Sequence, residues 1–316
     1  MNTSTSDAID TVGPQRVRQD IYDLHHDPEV EEDLQSTMPS RLYRTDHDTP
    51  YFKAPGVAMV SSPQSHLGSP AVTEFLRGFD AEEYQEDAWL PHGVAVAKFA
   101  GQTCYLSLGE ARTKNKDAGK YFENIINSGH GSVLEHAVYG FLFWGVSRSF
   151  THEIVRHRAG TAFSQVSQRY CGADKVRFVE RPEYQGVPAL HCAFEERIDR
   201  IRSEYEAVTD TLLAVNEANP AWTTLSRTER RKAVQQASRS CLPNETEAPI
   251  VVTANIRAWR GIFDQRLSPH AEPEIRAAVL RVYLLLLEYC PELLQDYRLY
   301  RLPDGSHAVT TEHRKV

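Results

Sequence analysis

The stretch from Arg156 to Tyr170 reads RHRAGTAFSQVSQRY and places arginines, hydroxyls and amides on both sides of one glycine. Gly160 allows the backbone to turn between the two halves, because glycine adopts conformations that other residues avoid. Backbone N–H groups in such a turn, together with guanidinium groups, form a cradle for phosphate oxygens. On composition alone a second interpretation stays open, that of the polar end of a surface helix followed by a loop.

The residues before the turn predict a helix, and this helix decides where the arginines point. A helix from about Ser149 to Arg158 would begin at an N-cap, Ser147 or Ser149, and stop at Gly160. On a regular helix Arg156 and Arg158 project roughly 200° apart. Two guanidinium groups so oriented could not hold one ligand together. We therefore expect them to serve two ligands, or one of them to face a neighbouring subunit.

The predicted helix also contains a near-match to the zinc motif HExxH, in the segment THEIVRH from Thr151 to His157. That motif needs two histidines on one helical face, at positions i and i+4. Here His157 comes one residue too late, and Arg156 takes the ligand position, where its cation would repel a metal ion. We expect no metal site, and a metal hydrolase remains only as an alternative.

Length, composition and charge restrict the class of protein. The chain has 316 residues, of which 41% are hydrophobic, enough for a packed core. A net charge of -8 argues against a nucleic acid polymer as partner, whereas the local clusters of arginine suit a small anionic ligand. No apolar run is long enough for a membrane span, and the polar start MNTSTSDAID lacks a signal-peptide pattern, so we expect a cytoplasmic protein. The five cysteines form no CxxC pair and predict free thiols.

The chain divides by composition into three parts. Residues 1–85 are polar and predict a partly irregular N-terminal extension. Residues 86–305 carry a main domain, and residues 306–316 form a tail. Apolar periodicity predicts helices at about 118–127, 198–215, 227–241, 256–266 and 274–289, and strands at 57–60, 136–146 and 249–253. Residues 94–99 fit either a strand or the start of a helix, and the mixture indicates an α+β fold.

Five short elements, in order along residues 92–298, resemble those of the flavin-dependent thymidylate synthases. The defining element is the Arg-His-Arg triplet, which eight residues separate from Ser167, and which continues as Gln-Arg-Tyr. The others are HGSVLEH from His130 to His136, RSCLP from Arg239 to Pro243, NIR from Asn255 to Arg257, and RLSPHAEPE from Arg266 to Glu274. The resemblance implies that residues 86–305 form a helix-rich α+β domain with a central, mostly antiparallel sheet.

The same resemblance implies an enzyme that converts dUMP to dTMP by reductive methylation. Methylenetetrahydrofolate would donate the carbon, NADPH would supply the hydride through FAD, and a homotetramer would form its active sites between subunits. Members of the family need no cysteine nucleophile, and only Cys241 falls within a matched element here. The alternative is a catalytically inert regulator that binds nucleotide or flavin on the same fold.

A role for each matched residue also follows from the resemblance. Arg266 would be the catalytic residue, because a fixed cation beside the uracil ring stabilises negative charge as the ring imide ionises. The residues implied to bind dUMP are Glu153, Arg156, Gln165, Ser167, Gln168, Arg169, Arg239 and Arg266. The residues implied to bind FAD are His130, Ser132, Arg156, His157, Arg158, Gln165, Asn255, Arg257 and Gly261.

Three positions depart from the family pattern. Glu153 stands where several relatives carry glutamine, and Gln165 where several carry glutamate. Gly261 occupies a position where some relatives have an asparagine that contacts flavin. These departures bear on individual contacts and leave the implied reaction unchanged.

Overall fold

The computed structural model describes residues 40–82, 84, 90–108, 117–217, 219–314 and 316. The first 39 residues of the predicted N-terminal extension therefore lie outside the described residues. Within the described ranges, no helix combines the length and apolar character that a bilayer crossing requires.

Helices and strands are mixed along the described chain. The strands are β1 (Leu42–Arg44), β2 (Pro50–Phe52), β3 (Gly56–Ser61), β4 (Val138–Trp144), β5 (Thr161–Gln165), β6 (Phe178–Val179), β7 (Ile250–Asn255), β8 (Arg298–Arg301) and β9 (His307–Thr310). The α-helices are α1 (Pro70–Arg77), α2 (His92–Thr103), α3 (Ala118–Asn127), α4 (Arg148–Ile154), α5 (Pro182–Gln185), α6 (Pro188–Glu217), α7 (Pro220–Thr223), α8 (Arg227–Ser238), α9 (Ile256–Arg266) and α10 (Pro273–Tyr289). Short 3-10 helices are Gly131–His136, Ala173–Lys175, Arg239–Cys241 and Pro291–Leu293.

Four strands form the central sheet in the order β3-β4-β7-β5, and every neighbouring pair is antiparallel. Strands β4 and β7 are rich in β-branched and aromatic residues, which favour a pleated, half-buried surface. In β7, Ile250, Val252 and Ala254 are buried and alternate with half-buried residues. The predicted α+β class with a mostly antiparallel sheet is confirmed.

Helices α9 and α10 pack against this sheet through large apolar side chains. Trp259 meets Phe141 edge to face with ring centroids 5.3 Å apart, and Phe263 meets Tyr283 in the same way at 5.4 Å. Aromatic pairs of this kind contribute about 0.5–1.5 kcal/mol beyond the area they bury. Helix α9 is therefore held rigidly along its length, which matters because predicted site residues lie at both of its ends.

A smaller sheet, β1-β2-β6, stands beside the central one and contains one parallel pair, β2 with β6. Its core comprises Tyr51 and Phe178 from the sheet and Phe194 and Ile198 from α6. Strands β1 to β3 belong to the stretch assigned to the extension, and Val316, in the predicted tail, is buried in the main core. The boundaries of the three predicted parts stay predictions.

Most predicted elements are confirmed, and one error concerns the site. The helix predicted to reach Arg158 ends at Ile154, because the N–H groups of Arg156 and His157 bond to carbonyls three residues back, at 3.3 and 3.2 Å, which closes the last turn. The expectation that Arg156 and Arg158 project from a helix is therefore wrong. Gly160 does not stop the helix but leads the chain into β5, a strand that was not predicted. The ambiguous segment at 94–99 lies in helix α2.

Candidate active site

Helix α4, which leads to the Arg-His-Arg triplet, is fixed at its start by buried polar contacts. Ser147 is the N-cap, and its Oγ accepts a hydrogen bond from Phe150 N at 3.2 Å. The carboxylate of Glu274, only 2% exposed, accepts from both the backbone N–H and the hydroxyl of Ser147, each at 2.7 Å. Burial raises the pKa of Glu274, and the hydrogen bonds from Ser147 oppose that rise. Glu274 in α10 thus anchors α4.

The triplet lies in a tight turn between α4 and β5. Gly160 in this turn has φ +69°, a left-handed conformation that favours glycine. A Cβ at Gly160 would lie 2.6 Å from Nδ2 of Asn255, so the space also excludes a side chain. The carbonyl of Gly160 accepts from Asn255 N at 3.2 Å. The turn is therefore tied to the residue that caps α9.

Arg266, at the far end of α9, is held by the same stretch of chain. Its Nε donates to Nε2 of His157 at 3.0 Å. Its Nη1 donates to the carboxylate of Glu153, and its Nη2 to the Glu153 carbonyl at 3.3 Å. Arg266 thus forms one cluster with Glu153 and His157, which lie 113 and 109 positions before it in the sequence.

The environment of His157 determines its protonation state. Burial, with the nearby Arg266 cation adding to it, lowers the pKa of His157 from 6.5 to about 4. The imidazole is therefore neutral near pH 7. Because Nε2 accepts the hydrogen bond from Arg266, the remaining proton must reside on Nδ1. His157 consequently acts as an acceptor that orients the guanidinium.

A cavity of about 510 Å³ opens beside this cluster. Its lining includes six of the nine residues expected to bind FAD, namely Arg156, His157, Arg158, Asn255, Arg257 and Gly261. The remaining lining residues are Glu135, Ala159, Gly160, Ala258 and Gln265. The structure thus brings the triplet and the first half of α9 to one open cavity, large enough for part of an extended anionic cofactor.

The N-terminus of α9 faces this cavity. Asn255 caps the helix, its Oδ1 accepting from Ala258 N at 2.8 Å, so the partial positive charge of the helix end is directed at the same space. Arg257 is paired with Glu135 at 2.6 Å, and both side chains are exposed. Glu135 lies in the matched HGSVLEH element and was expected to support the site rather than to contact a ligand. Gln265 lies outside the matched elements and was not expected in the site.

The loop after β5 faces elsewhere. Gln168 is 9% exposed and lines a second cavity of about 440 Å³, between this loop and strands β1 and β2. The Nε2 of Gln168 and the Nε of Arg169 are buried without a hydrogen-bond partner. Ser167 is half-buried, and its carbonyl accepts from Tyr170 N at 3.0 Å. These residues leave polar groups that a ligand could satisfy, but they do not line the first cavity.

A pair of arginines stands near the start of α4. Burial lowers the pKa of Arg148, and the nearby cation of Arg239 adds to the effect. Arg239 lies in the 3-10 helix that follows α8. Two guanidinium groups at close quarters repel each other, and a bound anion would relieve that repulsion. Arg148 lies outside the five matched elements, so the resemblance implied no role for it.

The remaining expected residues sit around this centre without a contact that defines their role. His130 and Ser132 flank Gly131 at the start of the 3-10 helix Gly131–His136 and are exposed. Gln165 ends β5 opposite Ile250 and is half-buried. Among the described residues, no group of three His, Cys, Asp or Glu side chains is placed to hold a metal ion.

The donors around the first cavity suit FAD. Guanidinium groups of Arg156, Arg158 and Arg257 and the amide-rich start of α9 match the charge and geometry of a diphosphate. The neutral imidazole of His157 and the small residues Gly160 and Gly261 leave room for a flat ring system. The chemistry of the lining therefore fits the cofactor that the resemblance implies.

Comparison with known proteins identifies the family of the chain. Residues 88–292 match the family model of the thymidylate synthase complementing protein. The chain is 38% identical over 241 residues to the flavin-dependent thymidylate synthase of Mycolicibacterium gilvum, covering 76% of this chain and 93% of that relative, and 37% identical over 219 residues to that of Mycobacterium tuberculosis, covering 69% and 85%. A UMP/dUMP methylase from Streptomyces cacaoi shares the fold, with a TM-score of 0.50 and 18% identity over 76% of this chain and 93% of its own. The chain therefore belongs to the family of flavin-dependent thymidylate synthases.

Proposed function

We propose that this protein is an FAD-dependent thymidylate synthase, which converts dUMP to dTMP with methylenetetrahydrofolate as carbon donor and NADPH as reductant. The observation that carries the proposal is the cluster of Arg266, Glu153 and His157 directly beside the arginine-lined first cavity. One side of that cluster offers a fixed cation for a uracil ring. The other offers the guanidinium groups that an FAD diphosphate needs.

The nucleotide would lie against Arg266. The guanidinium already donates three N–H groups to His157 and Glu153, so its orientation needs no reorganisation when a ring carbonyl or ionised imide arrives. Arg239 and Arg169 would hold the phosphate, and Arg148 joins them because it stands beside Arg239. Ser167 and Gln168 would offer a hydroxyl and an amide, while Gln165, Glu153 and Arg156 complete the expected set.

FAD, when bound, supplies the hydride that NADPH delivers. Arg156, His157, Arg158, Asn255, Arg257 and Gly261 would hold it in the first cavity. His130 and Ser132 would approach from the neighbouring 3-10 helix, and Gln165 from the end of β5. Because the imidazole of His157 is neutral near pH 7, it adds no second positive charge beside Arg266.

The thiols support a mechanism without a cysteine nucleophile. Cys241 is the cysteine within a matched element, and its Sγ donates to the Ser238 carbonyl at 3.0 Å. Burial raises the pKa of the Cys241 thiol, which lowers the fraction of reactive thiolate. The reaction therefore relies on the reduced cofactor and on Arg266.

The proposal includes a cytoplasmic homotetramer with shared active sites, acting on small molecules and on neither a nucleic acid polymer nor a membrane. Its assembly can be measured by analytical ultracentrifugation of the FAD-loaded protein. A monomer that turns over at the same specific activity as the whole sample would remove the shared sites from the proposal.

The central test combines colour and turnover. The purified protein should be yellow with bound flavin and should oxidise NADPH faster when dUMP is added. Arg266→Ala should keep the flavin spectrum and lose dTMP formation. Arg202→Ala, which removes a half-buried arginine paired with the exposed Glu206 on α6, should retain both. Colourless protein that ignores both ligands would defeat the proposed function. Full activity in the Arg266→Ala variant would defeat only the catalytic role of Arg266.

A further inference from the structure

Arg266 is fixed by its neighbours on three of its five N–H groups, through Nε, Nη1 and Nη2. One N–H on each Nη therefore remains for a ligand. The imidazole of His157 is neutral, so the carboxylate of Glu153 is the group that balances the charge of Arg266. Both members of the ion pair are largely shielded, with side chains 24% and 17% exposed, so water screens the pair only in part.

Among the described residues, the other charged side chains near the pair form no ion pair with Arg266 or Glu153. Arg156 and Arg158 line the first cavity, and Arg148, at the opposite end of α4, stands beside Arg239. Asp264, on the same helix as Arg266, accepts from the Tyr297 hydroxyl at 3.0 Å. Glu274, from α10, is bound to Ser147. Glu153 is thus the carboxylate in direct contact with Arg266 among the described residues.

We propose that Glu153 is a positioning residue that, by balancing the charge of Arg266, sets the pH at which the bound uracil ring ionises. This inference rests on the proposed function, because it requires dUMP to meet Arg266. It changes the role of Glu153, which the family resemblance presents as a contact to dUMP. Here its carboxylate and its carbonyl are both used to hold the arginine.

The chemistry follows from the charges. When the imide ionises, its N–H bond breaks, the electron pair stays on the ring and the proton passes to solvent. The Arg266 cation stabilises the resulting anion, whereas the Glu153 carboxylate, in contact with that cation, opposes it through like charge. A ring facing the Arg266–Glu153 pair therefore ionises at a higher pH than a ring facing Arg266 alone.

The test is the substitution Glu153→Gln, which keeps an oxygen that can accept from Nη1 and removes the charge. The probe is dUMP itself, titrated against the FAD-loaded protein without folate or NADPH, with binding followed by the flavin absorbance from pH 5 to 9. The acid limb of the plot of dUMP affinity against pH should move to lower pH by about half a unit or more. Because a shift of one pH unit corresponds to a ten-fold change in affinity on that limb, half a unit is a roughly threefold gain. The acid limb of kcat/KM for dUMP should move with it.

Two further variants separate charge balance from simple support. Glu206→Gln, which breaks the exposed pair with Arg202 on α6 at 3.4 Å, makes the same change in net charge and should leave the profile in place. Glu153→Asp keeps the charge and should keep the native limb, even if its shorter reach lowers kcat. If Glu153 only supported Arg266, Glu153→Gln would leave the limb unmoved. Glu153→Asp, whose shorter side chain would then lose the arginine, would move the limb to higher pH.

The outcomes are distinguishable from failure of the proposed function. Wild-type protein that binds no flavin, or whose flavin ignores dUMP, would refute the function. Wild-type protein that responds to dUMP while Glu153→Gln shows an unmoved or raised limb would overturn the role of Glu153 alone. Should Glu153→Gln fail to hold flavin, a displaced limb in Glu153→Asp overturns the inference, and a native limb in that variant supports it.

Discussion

Two glycines that border the first cavity should respond in opposite ways to the same added methyl group. Gly160 has φ +69°, and a Cβ there would lie 2.6 Å from Nδ2 of Asn255 and 3.0 Å from its Oδ1. Gly261 lies within helix α9, and a Cβ there would meet nothing within 4 Å. Gly160→Ala and Gly261→Ala therefore form a matched pair, one strained and one free.

The magnitudes can be worked from these positions. An alanine held in the left-handed region costs about 1–2 kcal/mol. Displacing the Asn255 side chain would also break its cap to Ala258 N, now 2.8 Å long, and losing a cap costs about 1 kcal/mol. Gly160→Ala should therefore lower the free energy of unfolding by about 2–3 kcal/mol. Gly261→Ala should raise it by about 0.5–1 kcal/mol, as alanine favours a helix over glycine.

Urea unfolding measures both variants, with protein concentration held fixed because assembly shifts apparent stability. FAD affinity should fall in Gly160→Ala, since both Gly160 and Asn255 line or border the cavity. Equal stability of Gly160→Ala and wild type would refute the argument that this turn demands glycine. A loss of stability in Gly261→Ala similar to that of Gly160→Ala would contradict the argument that backbone conformation and local space distinguish the two sites.

Three further predictions concern buried charge. Arg260 is 1% exposed and binds Asp296 through two hydrogen bonds of 2.6 and 2.7 Å. Arg260→Met should lower the free energy of unfolding by about 3–5 kcal/mol, because it leaves that carboxylate without its ion pair. A midpoint of thermal unfolding like that of wild type would contradict this. Glu274→Ala should lower the free energy of unfolding by about 2–4 kcal/mol, because it leaves two buried donors of Ser147 unsatisfied. Ser147→Ala should lower this free energy less in the Glu274→Ala background than in wild type. Additive losses in the double variant would contradict this expectation. The pKa of His157 is about 4 in the fold against 6.5 when free, so its contribution to stability is full above pH 6.5 and is lost as the pH falls toward 4. His157→Gln should therefore lose less unfolding free energy than wild type between pH 7 and 5, and equal losses would show that His157 is not responsible.

The parts of the fold that could be predicted from the sequence are those with local causes. Helix α9 begins and ends where the pattern places it, because Asn255 is a side-chain cap and the apolar spacing that follows is regular. Helix α3 is likewise bounded by its own residues, with Asp117 accepting from Lys120 N. Such signals lie within a few positions of the element they define.

The predictions fail where contacts between residues far apart in the sequence determine the local structure. Strand β5 reads TAFSQ, with few branched apolar residues, and becomes a strand because β7 offers a free edge beside it. Helix α4 ends at Ile154, and the turn that follows is bonded to distant chain, with Asn255 N donating to the Gly160 carbonyl. The contacts of Arg266 with Glu153 and His157 join residues 113 and 109 positions apart, so spacing along the chain contains no sign of them. The resemblance assigned Glu153 and Arg266 to dUMP and His157 to FAD, and the fold shows that Arg266 contacts both of the others.

Helix α9 is tied at both ends to the same short stretch of chain. Asn255 meets Gly160 at its start, and Arg266 meets Glu153 and His157 at its end. The helix has 11 residues and is therefore about 16 Å long at 1.5 Å per residue. This length sets the distance between its two contacts with residues 153–160. One inserted or deleted residue would turn Arg266 by about 100° and slide it past its partners. We therefore expect the number of residues between Asn255 and Arg266 to be fixed, and insertions or deletions to be tolerated only in loops outside this helix.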